Sequence, residues 1–105
     1  MKRTHRPIDF RRVAEEAARS APAILAHWLP GGKRVGREFC ALNPRRTDSR
    51  PGSFKINLAT GAWADFASGD KGGDLVSLAA YLYGLDQRDA AIRVAEMCGV
   101  DPFER

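Results

Sequence analysis

The residues with the clearest chemical potential are basic and surround one predicted loop. Residues 43–52 are rich in Pro, Asn, Asp, Ser and Gly, a composition typical of loops. Cations lie within this loop and on the predicted strands at either side of it: Arg37, Arg45, Arg46, Arg50 and Lys55. Clustered guanidinium and ammonium groups are typical of contacts to phosphates, so the cluster predicts a polyanion-binding region.

Trp63 is the candidate for stacking an unpaired base. It lies on a predicted strand, 62–67, that returns alongside the strand carrying Lys55. If Trp63 and Lys55 share a face of the sheet, they form a platform for a base and its phosphate. The alternative is that Trp63 packs against the N-terminal helix, and the sequence leaves both possibilities open.

Other potential sites are weaker. The glycine-rich stretch 68–73 lacks the GxxxxGK[ST] pattern, and Asp70 and Asp74 would repel a phosphate, so a tight turn followed by a helix cap is favoured. Cys40 and Cys98 are too few and too distant for a disulfide framework or an all-cysteine zinc site. No acidic cluster for Mg²⁺ and no Ser-His-Asp grouping stands out, so we expect a non-enzymatic chain without a cofactor.

The spacing of apolar residues predicts helices on both sides of the basic loop and its strands. Apolar residues recur at three- and four-residue steps over 9–19 and 21–29, with Asp9 and Ser20 as expected N-caps. After the glycine-rich stretch, Asp74 is expected to cap a helix that ends at Gly84. A last helix is expected to end at Gly99.

Three predicted strands lie between these helices, over 37–42, 53–58 and 62–67. A three-residue hairpin loop, 59–61, is expected to join the last two, with Gly61 in the left-handed region. The sequence therefore predicts an α+β fold with a small antiparallel β-sheet flanked by N-terminal and C-terminal helices. We expect one domain over 1–105, with a helical segment at 8–30, the sheet at 34–72 and helices at 73–105.

Composition and charge narrow the class of protein. With 44% hydrophobic residues the chain is not wholly disordered, and no apolar run reaches the roughly 20 residues of a membrane helix. The N-terminus lacks the apolar core of a secretory signal, so we expect a cytoplasmic protein with no membrane partner. Residues 1–55 hold 13 Lys and Arg against 5 Asp and Glu, whereas residues 56–105 hold 4 against 8. This asymmetry fits either a polyanion footprint or a solvated surface whose charges pair across the fold.

Residues 36–84 resemble the N-terminal zinc-ribbon (CHC2-type) domain of DNA primases from bacteria, phages and mobile elements. The resemblance is carried by GREFCALNP at 36–44, PGSFKI at 51–56 and GAWADFASGDKGGD at 61–74. In that family a strand leads into a CPxH loop, and a PSF strand, a CFxCGxGGD turn and a helix follow. The order and the gaps match here, and the resemblance implies a ribbon-like sheet.

This chain departs from the family at the zinc ligands. The resemblance assigns those positions to Asn43, Arg46, Asp65 and Ser68, none of which is Cys or His. Arg46 carries a fixed positive charge that would repel a cation, so we predict a degenerate, metal-free ribbon. We hypothesise that Arg46 and Asp65 pair across the former metal site, with Asn43 and Ser68 hydrogen-bonding around them.

The resemblance implies a template-binding module of DNA replication, non-catalytic by itself and of phage, plasmid or integrated-element origin. The expected partners are single-stranded DNA or RNA and a separate catalytic primase or helicase. The expected contacts are the five cations above and Trp63. The alternative is a protein-interaction adaptor on the same scaffold, whose acidic C-terminal helices, with Asp86, Asp89 and Glu96, would dock a basic partner.

Overall fold

A computed structural model describes residues 6–47 and 52–105, and within them the chain forms four helices and five strands. In chain order these are α1 (Phe10–Arg19), α2 (Ala21–Trp28), β1 (Lys33–Val35), β2 (Glu38–Ala41), β3 (Phe54–Asn57), β4 (Trp63–Asp65), β5 (Lys71–Gly72), α3 (Leu75–Tyr83) and α4 (Gln87–Cys98). The predicted α+β fold, with an antiparallel sheet flanked by helices at both ends, is confirmed.

The helix ends mostly follow the sequence signals. Asp9 and Asp74 accept hydrogen bonds from the third backbone N–H of α1 and α3, and Asp74 forms a full capping box with Ser77. Gly84 and Gly99 end α3 and α4 in the left-handed region. The expected side-chain cap from Ser20 is wrong: Ser20 precedes α2, but its hydroxyl makes no cap hydrogen bond.

The five strands form one antiparallel sheet in the order β1-β2-β3-β4-β5. Buried residues alternate with partly exposed ones along β2, β3 and β4, which gives the sheet one buried face. That face carries Phe39, Ala41, Phe54, Ile56 and Trp63, which join the apolar residues of the helices in the core. The opposite side, which we call the open face, has no described helix packed against it.

The sequence did not predict β1 or β5. Lys33-Arg34-Val35 is exposed throughout and has no apolar alternation, so nothing in its composition indicates a strand. Lys71-Gly72 lies within the glycine-rich stretch that was expected to be only a turn. Both are short edge strands, and pairing with β2 and β4 rather than local propensity holds them in the sheet.

The β3–β4 hairpin differs from the expectation by one residue. The Asn57 N–H donates to the Ala62 carbonyl at 2.7 Å and Ile56 pairs with Trp63, so the loop has four residues, 58–61, rather than three. The Asn57 side chain accepts from the N–H groups of Ala59 and Thr60, which stabilises the longer loop. Gly61 has φ +81°, as expected.

Candidate functional site

The four residues that the resemblance assigns to ligand positions lie around one carboxylate, that of Asp65. Arg46 donates from Nε to Asp65 Oδ2 at 2.6 Å and from Nη2 to Oδ1 at 3.3 Å. Asn43 Nδ2 donates to Oδ2 at 2.7 Å. The hypothesis that Arg46 pairs with Asp65 and that Asn43 bonds alongside is confirmed. We call this group, with Ser68, the Asp65 cluster.

Ser68 contributes differently from the expectation. Its backbone N–H lies 3.4 Å from Asp65 Oδ1, beside the Ala67 N–H at 2.9 Å, whereas its hydroxyl accepts from the Asp70 N–H. The turn after β4 therefore closes on the Asp65 carboxylate through its backbone. The Ser68 hydroxyl acts on the next turn instead.

Burial makes the charge pair of the Asp65 cluster energetically important. The Asp65 side chain is 0% exposed, and that of Arg46 is 28% exposed. Five donors meet the carboxylate, and no buried side-chain polar atom lacks a partner in the described residues. The Arg46 guanidinium holds the pKa of Asp65 well below its usual range, against the opposing effect of burial.

The cluster extends to the sheet edge through Tyr81 on α3. Asn43 Nδ2 donates to the Tyr81 hydroxyl at 2.9 Å, and that hydroxyl donates to Asp70 Oδ2 at 2.7 Å. Burial is the main cause that raises the pKa of Tyr81. Arg45 lies with its guanidinium 5.8 Å from the centre of the Tyr81 ring. These contacts connect the basic loop, the turn after β4 and α3 into one network.

The described part of the chain holds no group of three or more His, Cys, Asp or Glu side chains arranged to bind a metal ion. At the Asp65 cluster a guanidinium lies against the only carboxylate among the four residues that the resemblance assigns to ligand positions. The residues present do not fit a zinc ion, since thiolate and imidazole ligands are missing and a fixed cation occupies the position.

The four candidate cations that the structure describes do not form one patch. Arg37 precedes β2, Arg45 follows it at the opposite end, and Lys55 lies in the middle of β3 on the open face. Arg46 is engaged with Asp65 and also donates to Ser53 Oγ at 2.6 Å. Arg50 lies outside the described residues. These cations are close to the loop in the sequence, but the fold places them at different parts of the surface.

Trp63 is not on the face that carries Lys55. Lys55 pairs with Ala64, while Trp63 pairs with Ile56 on the buried face and is only 5% exposed. Of the two possibilities that the sequence left open, the Lys55–Trp63 platform does not form, because the hairpin register differs by one residue from the expected one and places the two side chains on opposite faces. Trp63 packs on α3 instead: its ring centre lies 4.7 Å from that of Tyr81, and its indole N–H donates to Ser77 Oγ at 2.9 Å.

The open face brings Lys55 into line with two cations that the sequence did not single out. Strand register places five residues in one row across all five strands: Lys33, Cys40, Lys55, Ala64 and Lys71. Neighbouring strands lie about 4.8 Å apart, so the three lysines follow one another at about 10 Å along the row. We call this the lysine row. Lys33 and Lys71 are exposed and Lys55 is partly exposed.

Phe66 adds an exposed aromatic ring to the same face. It follows β4, its N–H donates to the Ser53 carbonyl at 2.8 Å, and it is 73% exposed. With Lys55, Asn57 and Ala64 it lines a shallow groove of about 240 Å³. The alternation of side chains along β4 predicts that Phe66 and Trp63 lie on opposite faces of the sheet. That Phe66 shares its face with Lys55 follows only from the β3–β4 register.

No family model matches the chain, and no curated protein matches it. Among the described residues, none of the helices has the length and apolar character needed to cross a membrane.

Proposed function

We propose that this protein is a nucleic-acid-binding module that holds a single strand along the open face of its sheet. The observation that carries this proposal is the lysine row, Lys33, Lys55 and Lys71, with the exposed ring of Phe66 beside it. Cations that follow a phosphate backbone, together with an aromatic ring for stacking, are the two components of sequence-tolerant single-strand binding.

The shape of the face favours a single strand over a duplex. Phe66 projects from the sheet surface, where an unpaired base can stack on it, whereas a base within a duplex is already stacked on its neighbours. None of the described helices lies on this face, so within the described residues it offers no helix to a major groove.

Among the described residues, Glu38 places a carboxylate on the open face, in the row next to the lysines. Glu38 pairs with Val35 and Asn57, one row away from the lysines, and its carboxylate lies 4.0 Å from Lys55 Nζ. Glu38 also lines the groove beside Lys55 and Phe66, so a strand that contacts both of these residues passes next to its carboxylate. At 4.0 Å on a partly exposed surface, this ion pair does not neutralise Lys55 for a phosphate.

The primase resemblance supports the same proposal from an independent direction. It implies a module that engages a single-stranded template for a catalytic primase or helicase carried on another domain or chain. The convergence of Asn43, Arg46, Asp65 and Ser68 on one point is consistent with a ribbon whose metal has been replaced by a charge pair. On this proposal the protein acts in DNA replication, and it has no catalytic role by itself.

The test is a fluorescence-anisotropy titration of a labelled single-stranded oligonucleotide at several salt concentrations. Trp63 quenching is not a suitable signal, because the indole is buried. If three lysines contact phosphates, log K falls with log salt at a slope of about −2. The triple variant K33Q/K55Q/K71Q is expected to remove most of that slope.

A matched control removes the same charge elsewhere. The variant R11Q/R19Q/R105Q loses three exposed cations on α1 and at the C-terminus. It is expected to keep most of the affinity and most of the salt slope. Equal losses in the two triple variants would mean that net charge alone attracts the oligonucleotide, and salt-independent or absent binding by the parent protein would overturn the proposal. A duplex of the same sequence should bind more weakly than the single strand.

A further inference from the structure

A second surface, on the helical side of the molecule, carries a feature unrelated to nucleic-acid binding. A groove of about 630 Å³ lies between α2 and the C-terminal halves of α3 and α4. Apolar side chains form its floor and walls, among them Trp28, Tyr83, Leu85 and Met97. Tyr83 is 55% exposed and Met97 46% exposed, and residues of these types are enriched at protein interfaces.

Two charged residues on α4 border this groove. Arg93 and Glu96 line it one helical turn apart, and both are exposed. None of the ion pairs among the described residues involves either of them, although Glu16 and Arg19 do pair at the same spacing on α1. The groove therefore has an apolar centre and one free charge of each sign at its border.

We propose that this groove is the contact between two copies of the chain, related by a twofold axis across α4. In a twofold interface, when residue i of one copy contacts residue j of the other, residue j of the first copy also contacts residue i of the second. The patch must therefore be complementary to itself. An antiparallel α4–α4 contact meets this condition, because Arg93 of each copy faces Glu96 of the other while Tyr83 and Met97 become buried. A patch with charges of one sign would need a different partner.

Sedimentation velocity of the parent protein, from low micromolar to submillimolar concentration, tests the proposal first. The expected result is a reversible monomer–dimer equilibrium. Sedimentation as a monomer over the whole range would overturn it.

Charge-swap variants then locate the contact. R93E places two carboxylates opposite each other, and E96R places two guanidinium groups opposite each other, so each variant alone should dimerise at least about tenfold more weakly. An equimolar mixture of R93E and E96R should regain a dimer that contains one copy of each, because both cross-pairs are then attractive. The double variant R93E/E96R should dimerise like the parent.

Controls separate this contact from misfolding and from other surfaces. Circular dichroism and the urea midpoint must match the parent for each variant, which is expected because both side chains are exposed. R11E and E15R, on an exposed ion pair of α1, should leave dimerisation unchanged. If the parent dimerises but the single swaps do not weaken it, or if the mixture fails to regain a dimer, the dimer uses a different surface and the proposal is wrong.

Discussion

The two faces of the sheet use charged residues in opposite ways. On the buried side, Arg46 and Asp65 form a pair in which the carboxylate is excluded from water and meets five donors. On the open face, Lys33, Lys55 and Lys71 lie in a row, and the Glu38 carboxylate lies 4.0 Å from Lys55 Nζ. The Arg46–Asp65 pair is hydrogen-bonded inside the fold, whereas the three lysines are exposed or partly exposed to solvent.

This difference shows that a cation's place in the fold, rather than its position in the sequence, decides what it does. A buried charge must be paired, because removing it from water costs several kcal/mol that only fixed partners can offset. An exposed lysine has no such requirement and contributes little to stability, so it remains available for a ligand. Variants on the two faces should therefore separate folding from binding, and four of them test that separation.

The largest expected effect is on the free energy of unfolding, from the variant Arg46→Met. This change leaves the Asp65 carboxylate buried without its charged partner, so the free energy of unfolding should fall by about 3 kcal/mol. Urea denaturation followed by circular dichroism measures it. The neighbouring Arg45→Met removes an exposed guanidinium near Tyr81 and should cost less than about 1 kcal/mol. Equal losses in the two variants would contradict the structural role given to the Asp65 cluster.

Acid should weaken the fold through the same cluster. The pKa of Asp65 is held below its ordinary value of 3.8 in the folded protein, so the stabilisation is complete above that pH. It is lost as the pH falls from about 4 toward the lower pKa of the folded state. The free energy of unfolding, measured from neutral pH down to acid, should therefore decline more steeply for the parent than for Asp65→Asn. Parallel curves for the two proteins would rule out this contribution.

On the open face, Phe66→Ala should affect binding but not folding. The loss of one stacked base is expected to weaken oligonucleotide affinity by about 1–3 kcal/mol, which anisotropy titration measures. The urea midpoint should hardly change, because Phe66 is 73% exposed. Phe10→Ala on α1, also exposed, is the matched control and should leave binding unchanged. A Phe66→Ala protein that binds as well as the parent would exclude stacking on this ring.

The smallest expected effect is on the salt dependence of oligonucleotide binding, from the variant Lys55→Gln. Loss of one phosphate contact should make the slope of log K against log salt less negative by about 0.7, with little change in stability. The same titration of Arg19→Gln, a change on α1, should give the parent's slope. An unchanged slope in Lys55→Gln would mean that the strand does not follow the lysine row.

The sequence predicted the fold better than the site. Alternation in 53–58 identified β3, and Asp74 and Gly84 marked the ends of α3 correctly. The Arg46–Asp65 pair was also predicted, because the two opposite charges occupied positions that the resemblance brings together. The Lys55–Trp63 platform does not form because the β3–β4 loop is one residue longer than predicted. Asn57 stabilises this four-residue loop, and a shift of one residue in the register moves every side chain of β4 to the other face.

By itself, the sequence determined the helices, the strands β2, β3 and β4, where most helices end, and which charged residues must pair if they are buried. These properties depend on neighbours along the chain and on residue type. Only the tertiary structure decided that Lys33, Lys55 and Lys71 form one row with Phe66 beside it, and that Trp63 lies inside. The lysine row spans three strands separated by loops, and its register depends on hydrogen bonds between segments that are distant along the chain.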